Sequence, residues 1–305
     1  MDKNWGAAQI PRIDGKRAIV TGANSGIGFH TALELGRAGA EVTVAARDRT
    51  RAAEALARLQ AEAPSARFTV EELDLASLAS VRAFAERVVT AGRPLDILVN
   101  NAGIMALPTR ELTADGFEKQ MGTNHLGHFA LTGLLLPLLR AAKAPRVVVV
   151  SSSVANWAKL ELDNLQSEKK YSPMGTYGQT KLANLLFMVE LSRRGAEAGI
   201  VTAASHPGAA STNLQVHKYT HMIKLIGQSP AMGALPSLYA AVGGDVQSGQ
   251  YFGPRKLFGL FGPPALTKLP KRAHDAALAA ELWARSEALT GVKFALAGKA
   301  TSRSA

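Results

Sequence analysis

Cysteine is absent from the 305 residues. That excludes a disulfide framework, a thiolate metal site and a cysteine nucleophile. Acidic residues are scarce: 24 Asp and Glu face 35 Lys and Arg, a net charge of +11. Only 19% of the chain is charged and 47% is hydrophobic, too apolar a balance for a disordered chain. Long apolar runs are missing as well. Three uncharged stretches exist, Gln120–Leu139, Ala198–His217 and Leu225–Gly244, but each carries polar residues or prolines. None is the continuous apolar helix that a bilayer demands. The opening Met1-Asp2-Lys3-Asn4-Trp5 lacks the basic-then-apolar pattern of a signal peptide, so the expected location is cytoplasmic.

The positive charge is uneven. From Gln215 onward 11 Lys and Arg face 4 Asp and Glu, so 11 − 4 = +7 lies in the last 91 residues. These cations are scattered among Gly, Pro and aliphatic residues, without zinc-finger spacing or an aromatic RNA-binding signature, and no specific nucleic acid is expected. An anionic ligand, a lipid headgroup or an acidic partner suits them equally well.

The first 205 residues alternate short β-branched runs with longer helical patterns. Strands are expected at Arg17–Val20, Glu41–Ala45, Arg67–Glu71, Ile97–Asn100, Val147–Val150 and Ile200–Ala204. Helices are expected at Ile27–Gly36, Arg49–Glu62, Leu78–Ala91, within Asp115–Ala142, and at Tyr177–Ala196. Apolar strands separated by helices imply a parallel sheet covered on both faces. Right-handed crossovers make it doubly wound, with ligands at the carboxyl ends of the strands. Between Asn213 and Lys271, prolines and glycines are expected to break the chain into short pieces, before a helix at Ala273–Leu289. Nothing reads as a linker, so one domain is expected.

The first strand runs into Thr21-Gly22-Ala23-Asn24-Ser25-Gly26-Ile27-Gly28. Glycines there permit a tight turn and close backbone approach, and the helix that follows offers free N–H groups to a pyrophosphate. After the second strand, where an NAD site would place an acid, stand Ala46 and Arg47. An arginine can grip a 2′-phosphate, so NADP(H) is the expected cofactor and Asp48 is read as a helix cap. Asp74-Leu75 ends the third strand and Asn100-Asn101-Ala102-Gly103 the fourth. Asp74 could accept from an adenine amine, and Asn100 could brace the sheet beside the ribose.

Tyr177-Gly178-Gln179-Thr180-Lys181 opens an amphipathic helix. Residues four apart share a face, so phenol and ammonium project together. A nearby cation is expected to bring the tyrosine pKa down from 10 towards the working range. By itself the spacing fits an ordinary surface pair.

The ordered set TGANSGIG, AARD, DL, NNAG, NHLGHF, SSS, YGQTK and HPG resembles the short-chain dehydrogenase/reductase superfamily across residues 14–213. Residues 165–172 and 181–184 are similar to a narrower branch of retinol dehydrogenases, protochlorophyllide reductases and WW-domain oxidoreductases. The resemblance implies a Rossmann-like α/β domain: a cofactor and catalytic core (14–213), a substrate-lid extension (214–272), and a C-terminal helix and tail (273–305). It implies that Tyr177 is the general acid or base and that Lys181 holds the nicotinamide ribose. A serine would hydrogen-bond the substrate oxygen, and Asn124 would hold a water for proton relay. Two matches compete for that serine. Counting along the branch selects Ser152, whereas the local Ser-Ser-Val-Ala pattern selects Ser153; Ser152 is preferred. Pro207 and Gly208 would pack beside the nicotinamide, and Thr212 would reach its carboxamide or the diphosphate.

His206 is read as structural, and His125 and His128 as helix packing; no metal is expected. The apolar residues between Asn213 and Lys271 suggest mobile cover over a hydrophobic alcohol or carbonyl, while Phe258-Gly259-Leu260-Phe261 beside Arg255 and Lys256 could touch a membrane surface. The chain is expected to be a monomer, if Lys159–Pro173 covers the pairing helices, or else a homodimer. Two other readings stand beside the NADP(H)-dependent oxidoreductase: a cofactor-binding sensor without turnover, and a binder of anionic surfaces or nucleic acid.

Overall fold

A computed structural model describes residues 2–210 and 227–296. Eight strands form one sheet in the order β3-β2-β1-β4-β5-β6-β7-β8. They are β1 (Arg17–Thr21), β2 (Glu41–Ala46), β3 (Arg67–Glu72), β4 (Ile97–Asn100), β5 (Arg146–Val150), β6 (Val201–Ser205), β7 (Tyr251–Lys256) and β8 (Phe261–Leu266). All neighbouring pairs are parallel except β7 and β8. The order reverses between β1 and β4, which opens a crevice at their carboxyl ends.

Helices α1 (Gly26–Arg37), α2 (Arg49–Glu62) and α3 (Leu78–Thr90) follow the first three strands. A short α4 (Lys119–Met121) passes through a π-helical turn, Gly122–Leu126, into α5 (Gly127–Leu134), and then comes α6 (Leu136–Ala141). The long α7 (Pro173–Arg194) precedes β6, and α8 (Pro230–Val242) and α9 (Ala276–Thr290) follow among the described residues. Alternation along the strands divides the core. Val147 and Val149 join the layer containing α3, α5, α7 and α9, whereas Val148 and Val150 join that of α1, α2 and α8. Both faces are dry, which explains why these strands read as unbroken apolar runs.

The expectation for the region after Asn213 is corrected where the structure describes it. Residues 230–266 form a helix and a hairpin that extends the sheet, not loose cover. Pro230 occupies the first turn of α8, where its missing N–H costs nothing. Pro263 and Pro264 lie on the edge strand, the one place in a sheet that tolerates them. Tyr239, Tyr251 and Phe252 are buried core residues. Met222, Ile223, Leu225 and Ile226 fall outside the described residues.

The cover over α5 and α7 also comes mainly from another source than expected. Helix α9 packs across both, joining Phe129, Phe187, Trp283 and Phe294 in one aromatic cluster. The 159–173 insertion is bound to this end of the chain, since Arg285 donates to the carbonyl of Leu162 at 2.7 Å.

Candidate active site

The glycine loop and the segment after β4 flank the crevice. Gly22 and Gly26 have φ of +66° and +58°, the left-handed region that side chains disfavour. A Cβ on Gly28 would lie 2.5 Å from Asn101 Nδ2 and 2.6 Å from the Gly22 carbonyl. Only glycine lets the helix start come so close to both strand ends. Ser25 is the N-cap of α1 yet makes no capping hydrogen bond with its side chain. The N–H groups of that first turn therefore lack a side-chain acceptor, and they open beside half-buried Asn24, Ser25, Gly26 and Ile27. An anion fits there.

Thr21, which sequence reasoning missed, fastens the two segments together. Its hydroxyl accepts from the N–H groups of Asn101 and Ala102, both at 2.9 Å, and the Asn101 amide donates to the Thr21 carbonyl at 2.7 Å. His128 completes the link. Its Nδ1 donates to the Asn124 carbonyl at 3.1 Å, so Nε2 is left to accept from Thr21 at 2.8 Å. Burial pushes the imidazole pKa down to about 3, keeping it in this neutral form. His125 is likewise buried, bonded to Ser286 on α9 at 2.9 Å. Among the described residues no three His, Asp or Glu side chains gather as a metal-binding group.

After β2, Arg49 pairs with Glu72, and Arg51 with Asp48, whose carboxylate also caps α2. Exposed Arg47 makes no ion pair with the described residues. One oxygen of Asp74 accepts from its own turn, from Ala76 N–H at 3.0 Å. Leu75 is buried, and its carbonyl approaches so closely that a Cβ on Gly127 would lie 2.4 Å from it.

Tyr177 and Lys181 project from the start of α7, both buried, with the ammonium 5.6 Å from the centre of the phenol ring. The three serines after β5 point to different places. The Ser151 hydroxyl donates to the Lys181 carbonyl at 2.7 Å, and Ser153 begins a 3₁₀ turn. Ser152 accepts from Val154 N–H at 3.5 Å, and it is the one of the three whose hydroxyl lowers the pKa of the Tyr177 phenol. The expected fall in the tyrosine pKa is not what this environment produces. Burial pushes it up to about 12, opposed only by the Ser152 hydroxyl. Lys181 is itself pushed down to about 8 by burial. Desolvation outweighs the cation because the ammonium turns to the Val150 carbonyl, 3.2 Å away.

Asn124 sits in the π-helical turn, a distortion common at functional sites. Its amide donates to the Ile104 carbonyl at 2.9 Å and to Thr180 at 3.0 Å, and its oxygen accepts from Ile104 N–H at 2.8 Å. Gly103 lies between Asn124 and Lys181, since a Cβ there would be 3.1 Å from Asn124 Oδ1 and 3.6 Å from Lys181 Nζ. The side chain ties the segment after β4 to α7 and has little left to offer a relay water. After β6, Gly208 takes φ of +66° and its N–H donates to His206 Nδ1 at 3.3 Å, while Gln228 donates to the Pro207 carbonyl at 2.7 Å. His206 is thus a buried turn-former. Thr212 lies outside the described residues. A groove of about 460 Å³ lies between the insertion and α7, lined by Val154, Trp157, Ala158 and Met174 together with polar Lys159, Glu161, Lys170 and Gln179 among others; Tyr177 and Ser152 do not line it.

The sequence pattern that defines the short chain dehydrogenase family matches residues 16–222. The chain is 41% identical over 299 residues to retinol dehydrogenase 14 of Mus musculus, covering 91% of this chain and 86% of that one. Among solved structures, an uncharacterized protein from Mycobacterium Paratuberculosis is 42% identical with a TM-score of 0.81, covering 95% of this chain and 99% of its own. A short chain dehydrogenase from Burkholderia cenocepacia, solved in complex with NADP, is 25% identical with a TM-score of 0.61, covering 76% and 92%. Matches of this extent, over a crevice built from the same ordered motifs, make the chain a member of the short-chain dehydrogenase family, in a branch resembling the retinol dehydrogenases: an NAD(P)-dependent oxidoreductase of alcohols and carbonyls.

Proposed function

We propose that the enzyme uses NADP(H) and acts on a hydrophobic alcohol or carbonyl, with Tyr177 moving the proton. The observation that carries this reading is the buried Tyr177 phenol one helical turn from buried Lys181, whose ammonium lies 5.6 Å from the ring centre. When bound, the nicotinamide supplies or accepts the hydride. Tyr177 gives its proton to the carbonyl oxygen in reduction and takes it from the alcohol in oxidation. Ser152 donates a hydrogen bond to the same oxygen as charge develops on it. Lys181 holds the nicotinamide ribose and supplies positive charge beneath the phenol. Asn124 is a positioning residue, setting Gly103 and Thr180 around Lys181.

Preference for NADP(H) is supported by Arg47, which stands where an NAD site would carry an acid and has no partner among the described ion pairs. The NADP complex of the Burkholderia cenocepacia relative points the same way. Substrate hydrophobicity is supported by Val154, Trp157, Ala158 and Met174 in the neighbouring groove, whose lining also carries polar groups such as Lys159, Glu161 and Gln179. A screen of NADPH oxidation across aldehydes and ketones of increasing chain length, with retinal included because of the retinol dehydrogenase relatives, tests the reading. Rising kcat/KM with chain length supports it; turnover confined to short polar compounds or to NADH removes it.

A further inference from the structure

Most of the large apolar side chains that the fold leaves exposed belong to one edge of the sheet. Strands β1 to β7 run parallel, so the segments after β4, β5 and β7 and the start of α7 all emerge at the carboxyl edge. Exposed Leu112, Trp157, Met174, Leu257, Phe258 and Leu260 lie on these segments, and of the remaining described large apolar residues only Leu266 and Leu289 are exposed. Single exposed leucines are ordinary; six large apolar side chains at one edge of a sheet are not.

The β7–β8 tip stands out within this set. Leu257 and Phe258 have φ of +49° and +56°, left-handed conformations that such side chains rarely adopt. No packing contact accounts for them, since Phe258 is fully exposed and Leu257 is 64% exposed. The tip is nevertheless well held. Leu260 N–H donates to the carbonyls of Lys256 and Leu257 at 3.1 and 3.2 Å, and Ala209 N–H donates to the Leu260 carbonyl at 3.0 Å. The fold thus presents two apolar side chains outward from a braced turn beside Pro207 and Gly208. Arg255 and Lys256 flank them, both exposed, and from Val246 to Leu266 the chain has these two cations and no Asp or Glu.

We propose that this edge, led by Leu257 and Phe258, docks on an anionic lipid surface. Apolar side chains at a rigid tip enter the headgroup boundary while neighbouring cations meet lipid phosphates and carboxylates. Among the described residues no helix is long and apolar enough to cross a bilayer, and the contact proposed is made by side chains at a turn. A second copy of the chain fits the surface less well. The edge strand β8 carries Pro263 and Pro264, which remove the donors that strand pairing needs, and the same-sign charge repels its like. Docking places the cleft mouth at the lipid, where a hydrophobic alcohol or carbonyl is dissolved. That consequence rests on the substrate reading above, whereas the docking does not.

Flotation with vesicles of phosphatidylcholine alone, or with roughly one-third phosphatidylserine, tests it on the full chain. The wild type is expected to float with anionic vesicles, to float little with neutral ones, and to be released by salt. Leu257→Ser/Phe258→Ser and Arg255→Glu/Lys256→Glu are each expected to weaken binding by about tenfold or more, with melting temperature and turnover of a water-soluble carbonyl unchanged. Equal binding by these folded variants, or no binding by the wild type, overturns the proposal. So does a lipid-independent dimer that the same variants dissolve, or DNA binding lost in them without any vesicle binding. Vesicle binding without turnover of any hydrophobic carbonyl would leave docking standing and sink the substrate reading.

Discussion

Lys181 donates from its ammonium to the carbonyl of Val150 at 3.2 Å, and Asn184 donates to that same carbonyl at 3.2 Å. The cation is thus held at the last residue of β5, directly before the three serines, while α7 carries the phenol one turn earlier. A single carbonyl compensates little of the desolvation, and burial brings the Lys181 pKa down to about 8 from 10.5. A base with a depressed pKa binds its proton less tightly folded than unfolded. The folded chain therefore bears a cost that is full below pH 8 and vanishes as pH rises through 10.5. Lys181→Met should be more stable than the wild type near neutrality by about 3 kcal/mol, with the gap closing as pH approaches 10.5. Denaturant midpoints measured across that range give the answer; a gap independent of pH removes the buried charge from the account.

Tyr177 shows the opposite shift. With its pKa pushed up to about 12, the phenol stays protonated throughout the neutral range. It is ready to donate in carbonyl reduction and must first lose its proton to serve as base in alcohol oxidation. Oxidation should therefore gain rate with rising pH over a range where reduction is flat or falling. Tyr177→Phe should lower both by about 10²–10⁴-fold while cofactor binding, followed by fluorescence, stays near normal. Substantial turnover in that variant would assign the proton to another group.

The three serines separate by what they touch. Ser151 is committed to the Lys181 carbonyl, whereas the Ser152 hydroxyl is the one that lowers the Tyr177 pKa. Ser152→Ala should reduce kcat by about 10²–10³-fold, the range for removing one donor from a developing oxyanion. Ser153→Ala should leave kcat within a fewfold. The reverse order would transfer the role to Ser153.

The six core strands and the order of the motifs were legible because both rest on local chemistry. Valine runs such as Val147–Val150 read as buried strands, and glycines at 22, 26 and 28 mark the turn against Asn101. What could not be read depends on distant pairing. Pro254 and Pro264 look like breakers in one dimension, yet they face each other across the hairpin at the sheet edge. Thr21 gives no signal of its own, because its role exists only once β1 and β4 are neighbours. Asn124 was found by its motif, but the partners that occupy its amide lie on two other segments. Spacing likewise put Tyr177 and Lys181 together without revealing that burial, not proximity, would set their pKa values.

Arg47 offers a direct test of cofactor choice. Its neighbours Arg49 and Arg51 are held by Glu72 and Asp48, so the local positive charge that remains for a 2′-phosphate comes from Arg47. Arg47→Ala should weaken NADPH by about 1.5–3 kcal/mol, the value of a charge-assisted hydrogen bond, and leave NADH nearly unchanged. An unaltered ratio of the two Kd values would show that the arginine does not meet the phosphate.

Trp283 decides whether α5 and α7 are free to pair with another chain. Its indole lies 4.5 Å from the Phe294 ring and 5.1 Å from that of Phe129, while the Arg194 guanidinium stacks 4.8 Å from it. Helix α9 thereby covers apolar faces of α5 and α7 from within the chain. We infer a monomer, with light scattering giving a mass near 32.1 kDa. Trp283→Ala should cost about 3–5 kcal/mol of stability, and by loosening α9 it should expose Phe129 and Phe187 and promote self-association. A wild-type dimer that persists unchanged in Trp283→Ala would mean that chains pair through another face.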